Sequence, residues 1–208
     1  MMTLGEKGIA GKDQTHYRQP QDVTFLPNGM FLVGDGLGGN NRIVVRHADG
    51  SYHSEFGEGG DAKHQFASVH SLAIGPEQRL FALDRDKRDV KVFRQTSTMD
   101  SADYPTFEYQ ETWAGLDLPL DITVSEEAAW VTDIRPPKIV KFDLNGAPQY
   151  TWRLPVEGPH MWIEMHSLAA DEEGNLYGTD NQAGRPQKMV PRSDADLAHL
   201  VRRPYIER

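Results

Sequence analysis

Apolar positions in this chain fall in short runs or alternate with polar ones at period two, and helical spacing is nearly absent. That pattern predicts strands. Four stretches align with one another. Each reads as a short strand, a tight turn and a second strand ending in aspartate: 20–25 with 31–35, 69–74 with 79–84, 119–124 with 129–133, and 165–170 with 175–180. The closing residues Asp35, Asp84, Asp133 and Asp180 are 49, 49 and 47 positions apart. A third strand follows in every unit, at 42–46, 89–93, 138–142 and 185–190. A fourth is visible at 52–56, 109–113 and 149–154. Asn28-Gly29, Asp49-Gly50, Asn145-Gly146 and Glu173-Gly174 supply turn chemistry, with glycine available for positive φ. Only 193–201 has a helical look, with Ser193 as N-cap. A sheet unit of four strands repeated at nearly fixed spacing predicts an all-β β-propeller with four blades in this chain, at about 17–58, 66–115, 117–155 and 163–208. The alternative is another repeated sheet, such as two tandem sandwiches, which seldom keep so regular a period.

Composition narrows the partners. The 208 residues carry a formal charge of −9, which repels phosphate backbones and argues against nucleic acid. The local basic cluster of Arg202, Arg203 and Arg208 is too short for a nucleic-acid footprint. With no cysteine there is no disulfide, thiolate metal site or thiol nucleophile, which fits a reducing, cytoplasmic setting. Residues 1–12 lack the apolar core of a signal peptide, and no 18-residue apolar run exists, so no membrane association is expected.

The four units resemble NHL repeats, through Pro20-Gln21-Asp22-Val23, Phe31-Leu32-Val33-Gly34-Asp35 and Asn41-Arg42-Ile43 in the first of them. The likeness goes further. Tyr17 to Val23, Gly34-Asp35-Gly36, Phe56-Gly57, Gln65-Phe66, His70-Ser71-Leu72 and Asp84-Arg85 resemble the lyase domain of peptidylglycine α-amidating enzymes, over residues 3–190 or so. That family is a six-bladed propeller that cleaves peptidyl-α-hydroxyglycine into a peptide amide and glyoxylate. The resemblance implies zinc held in the central channel by three histidines from alternate blades. His70 and His166 match two of these positions. The third, and a further channel arginine, would lie upstream of Pro20, so the chain reads as shortened by about two blades. Arg85 matches a channel arginine of the family. Two departures stand out: Leu37 follows Asp35-Gly36 where the family has tyrosine, and Ser167 stands where the family has an aspartate, which makes calcium a lesser expectation than zinc.

Read from the residues alone, each candidate keeps two roles. His70 and His166 occupy equivalent slots of the second and fourth units and are either metal ligands or packing residues; two imidazoles fall short of the three protein ligands of a catalytic zinc. Asp22 or Asp121 would be needed to add to them. Arg85, assigned to catalysis, either grips a substrate carboxylate with its planar fork or pairs with Asp84 or Asp86. The four closing aspartates cap backbone N–H groups, since a single-site function would not recur in every unit. His16 and His160 lie in loops, with His160 a third-ligand candidate. Residues 36–41 look like a phosphate loop but precede a strand rather than a helix, and read as a flexible corner. No G-x-S-x-G occurs.

Two functions remain open. One is a metal-binding, lyase-like propeller on a small-molecule or peptide ligand, in which the ion would polarise a hydroxyl so that a carbinolamide C–N bond breaks, impaired by the loss of the tyrosine. The other is a non-catalytic protein- or peptide-binding module using Trp152, Trp162 and Tyr205. Four blades leave sheet edges to be covered. Three resolutions are open: the four blades close with residues 2–6 as an outer clasp strand on the last blade, two chains pair as a homo-oligomer, or the chain is a fragment of a longer product.

Overall fold

The computed structural model describes residues 1–96, 105–171, 173, 175–191 and 193–194. All its regular structure is β, apart from one 3-10 turn at Pro76–Gln78. The expected helix at 193–201 falls almost wholly outside the described residues. Fifteen strands form four antiparallel sheets in chain order, one per unit of the repeat. The fold class is the all-β propeller, built of β1(Pro20–Phe25) to β4(Tyr52–Phe56), β5(Val69–Gly75) to β8(Phe107–Trp113), β9(Pro119–Val124) to β12(Pro148–Arg153), and β13(Met165–Ala170) to β15(Arg185–Met189). The fourth sheet has three strands among the described residues. Contacts divide the chain into two compact units, Met1–Ala114 and a second beginning at Gly115.

In the first unit, two blades pack face to face. Of the intervening strands, β2(Phe31–Asp35) and β3(Arg42–Arg46) are buried throughout, which explains their continuous apolar runs. Period two splits their side chains between two cores. Leu32, Ile43 and Val45 meet Phe66, Val69, Leu72, Leu80, Ala82 and Phe93 of the second blade. Phe31, Val33 and Val44 point the other way, where Leu4, Tyr17 and Tyr52 cover them.

That covering is the N-terminal segment. The Arg46 guanidinium lies between the Tyr17 and Tyr52 rings, at 5.4 and 5.6 Å. It also donates to the Tyr17 hydroxyl (2.8 Å) and the Gln14 carbonyl (2.5 Å). Arg42 donates to the His16 carbonyl and Asn40 to that of Gly11. Residues 2–6 therefore do not form the expected clasp strand. Leu4 packs on the first blade, and Glu6 makes only an isolated bridge to Ile9. Burial of apolar side chains and the arginine straps hold this segment where a bare sheet face would otherwise meet water.

In the second unit, Ala128, Trp130, Ile139 and Leu154 pack against Trp162, Met165, Leu168 and Leu176. Trp162 is 3% exposed, so it belongs to the core and not to the docking surface expected of it. Trp152 is partly buried against the same cluster, and Tyr205 lies outside the described residues.

Candidate inner-strand site

The first strand of every blade carries an irregularity at one and the same place. Its register against the second strand shifts between Pro20 and Asp22, Val69 and Ser71, Pro119 and Asp121, and Met165 and Ser167. The extra residues are Gln21, His70, Leu120 and His166. A bulge re-aims the side chain at the extra position and recurs beside functional sites. His70 and His166 thus share a special backbone position, each within its own unit. His70 is 5% exposed, and His166 is partly buried.

Two sets of carboxylates build this position. The closing aspartates form the first. Each receives the backbone N–H groups of the segment that enters its own blade. Asp84 accepts from Ala67 (2.8 Å), Ser68 (2.9 Å) and Lys87 (3.1 Å), with Lys91 paired at 3.3 Å. Asp180 accepts from Ile163 (2.7 Å), Glu164 (3.3 Å), Gln182 (3.1 Å) and Ala183 (2.8 Å). Asp133 accepts from Asp117 and Leu118, and Asp35 from Arg18, Asn40 and Arg42. Burial alone would push the Asp180 carboxyl up; its backbone donors outweigh that and hold it below the usual range. The capping role expected of these residues is what they perform. In the second and fourth blades they grip the chain just ahead of the histidine.

The second set joins neighbouring blades. Asp22 Oδ2 accepts from the Leu72 N–H (2.7 Å) and the Ser71 hydroxyl (3.0 Å) of the next blade. Asp121 Oδ2 accepts from the Leu168 N–H at 2.8 Å. Burial raises the Asp22 carboxyl despite these bonds. Both carboxylates, expected as supplementary metal ligands, are thus engaged by backbone. Each lies one residue past its own bulge and fastens the strand that carries His70 or His166.

Arg85 follows Asp84. Its Nε donates to Asp86 Oδ1 at 2.8 Å, with the Arg85 side chain 28% exposed, so the pairing expected as its alternative role is formed with Asp86 and not with Asp84. Its Nη1 and Nη2 have no hydrogen-bond partner among the described residues. The corner at 36–41 is closely packed, not loose. Asn40 and Asn41 are buried, and a Cβ on Gly36 would stand 2.0 Å from the Val69 carbonyl oxygen. His160 is exposed, and His16 is bound to Asp13 at 3.0 Å.

Among the described residues, no group of three or more His, Cys, Asp or Glu side chains converges as a metal ion would require. His70 and His166 do not by themselves fit the three-ligand set of a catalytic zinc.

The chain is similar to amidating lyases. It is 31% identical over 96 residues to a probable peptidyl-alpha-hydroxyglycine alpha-amidating lyase of Caenorhabditis elegans, covering 45% of this chain and 27% of that protein. It is 26% identical over 214 residues to peptidyl-glycine alpha-amidating monooxygenase A of Xenopus laevis, covering 92% of this chain and 21% of that protein. The chain thus spans about a quarter of the length of these curated relatives. No family model matches it. Among solved structures, a streptogramin B lyase superposes with a TM-score of 0.58 at 16% identity, over 89% of this chain and 58% of that one, which speaks for the fold alone. No helix among the described residues is long and apolar enough to cross a membrane.

Proposed function

We propose that this chain is a divergent lyase-like propeller acting on a small hydroxylated or carboxylate-bearing ligand, in the manner of the amidating lyases it resembles. The observation that carries this reading is the shared bulge position of His70 and His166 on the first strands of two blades. Blades of one fold need no histidine there: Gln21 and Leu120 fill the same position in the other two. His70 and His166 are the metal-binding positions in this reading, with zinc favoured over calcium because imidazole is a poor calcium ligand. No catalytic step is routed through a metal ion, since no group of three or more ligating side chains converges among the described residues. Arg85 binds the ligand's carboxylate through Nη1 and Nη2 while Asp86 holds Nε, so the planar fork is oriented before the ligand arrives. Leu37 offers no proton-transfer group, so turnover is slow at best.

The test is glyoxylate release from a peptidyl-α-hydroxyglycine. The wild type is expected to exceed His70→Ala, and Arg85→Ala is expected to raise KM more than it lowers kcat. Equal rates for wild type and His70→Ala would remove the enzymatic reading.

A second reading is a non-catalytic module that binds a protein or peptide. It is favoured by β1, where Val23 and Phe25 are 48% and 68% exposed. A stable partner lost in Phe25→Ser, together with equal lyase rates, would select it.

A further inference from the structure

The first strand of every blade carries two apolar residues on one and the same face, two and four places past its bulge. They are Val23 and Phe25, Leu72 and Ile74, Ile122 and Val124, and Leu168 and Ala170. Leu72 and Ile74 share a core with Leu32, Ile43 and Val45 of the blade before them. Leu168 and Ala170 do the same with Trp130, Ile139 and Leu154. Ile122 and Val124 are buried as well. Val23 and Phe25 are exposed. They pair with Val33 and Phe31, which puts them on the face whose other half Leu4 and Tyr17 cover. The Phe25 ring stands 5.8 Å from that of Phe31.

The fourth blade shows the converse. Three places before each closing aspartate stand Leu32, Phe81, Trp130 and Tyr177. Opposite the residue just before that aspartate stand Ile43, Val90, Ile139 and Pro186. Leu32 and Ile43 meet the following blade, as Trp130 and Ile139 do in the second unit, and Phe81 and Val90 are buried. Pro186 is exposed and Tyr177 is 41% exposed, with the exposed Ala169 opposite it on the same face. Tyr177 is held in place. Its hydroxyl donates to Asp171 at 2.9 Å, and the Lys188 ammonium lies 5.2 Å from its ring centre.

We propose that the chain self-associates head to tail, the exposed face of the fourth blade in one copy covering Val23 and Phe25 in a second copy. Each of these faces lacks what the other supplies, and the contact has the form that the chain's own neighbouring blades use. Fixed aromatic side chains such as Phe25 and Tyr177 make strong anchors, because little rotamer freedom is lost when they are covered. Lys188 and Thr179 keep the fourth-blade face partly polar, so the separate chain is wettable and the association is reversible and dependent on concentration. The contact is heterologous, with a different patch on each copy. It rests on the second reading for the β1 face, names the partner of that face, and is compatible with lyase activity.

The test is sedimentation velocity of the full chain over a wide range of concentration. Concentration-dependent association is expected. Phe25→Ser and Tyr177→Ser should each weaken it roughly tenfold or more, as loss of an aromatic anchor does, with circular dichroism unchanged because both side chains lie on the surface. Mixing the two variants is the decisive arm. The Phe25→Ser chain keeps its fourth-blade face and the Tyr177→Ser chain keeps its first-blade face, so the mixture should recover association and stop at two chains. A monomer at every concentration, association unchanged in both variants, or a mixture no more associated than its components would overturn the contact. The second reading would outlast any of these results, since it falls only if no other partner is lost in Phe25→Ser.

Discussion

At the scale of single residues, the closing aspartates carry the fold. Asp84 is fully buried and serves three backbone N–H groups and the fully buried Lys91. Asp84→Ala leaves those N–H groups without this acceptor and Lys91 with Asp89 alone, at 2.6 Å, and breaking a buried charged pair costs about 3–5 kcal/mol. Urea denaturation should show that loss, and a change inside the error of the midpoint would refute the structural role. Asp22 makes fewer bonds: Asp22→Ala leaves the Leu72 N–H without its acceptor, a cost of about 1–3 kcal/mol. Asp171 offers a test by pH. The Asn175 side chain, then its backbone N–H and the Tyr177 hydroxyl, outweigh burial and hold its carboxyl at about 2. An ordinary aspartate titrates near ~3.9. Because the folded value is the lower one, the contribution is full above about pH 4 and is lost as pH falls towards about 2. The difference in melting temperature between wild type and Asp171→Ala should therefore shrink across that window. A difference independent of pH would contradict the assignment. The recurrence of these aspartates was legible in the sequence because a repeat displays them four times. The bulge beside each was not, since an extra residue on one strand changes the pairing and leaves the period-two pattern of a short strand nearly intact.

At the scale of elements, strand boundaries follow the apolar pattern closely, because both faces of β2 and β3 are buried and neither tolerates polar residues at random. The turn at Pro76–Gln78 carries no glycine or asparagine to mark it in the sequence. It places Glu77 and Gln78 at φ of 59° and 55°, where glycine or asparagine is the usual signal. The N-terminal segment lies against the first blade, with Leu4 and Tyr17 on its outer face. Asn40, Arg42 and Arg46 hold the carbonyls of Gly11, His16 and Gln14 by side-chain bonds that spacing does not encode. The packed corner after β2 yields another prediction. A methyl on Gly36 meets the Val69 backbone, one residue before His70, and a backbone atom cannot rotate away. Gly36→Ala should lower stability by about 1–3 kcal/mol through overpacking. It should also broaden or shift the His70 imidazole signals, which a distant destabilising change would leave alone. Unaltered stability and signals would mean that the corner is looser than its geometry.

At the scale of the whole molecule, the blade count and the likeness to amidating lyases could be read from four aligned segments and from His70-Ser71-Leu72 with Asp84-Arg85. The site could be read only in part. Residue types named the imidazoles and the guanidinium, whereas hydrogen bonds decide what else is available. Asp22 and Asp121 looked like ligands in the sequence and are fasteners between blades. Trp162 looked like a docking aromatic and is core. The functional account rests on His70 and His166 acting as metal-binding positions. It is tested most directly by zinc content, in protein purified without an affinity metal. The account predicts bound zinc whose content falls in His70→Ala and in His166→Ala, each measured by itself. No zinc in the parent, or zinc retained by both variants, would contradict it and leave the two histidines as structural residues of their bulges.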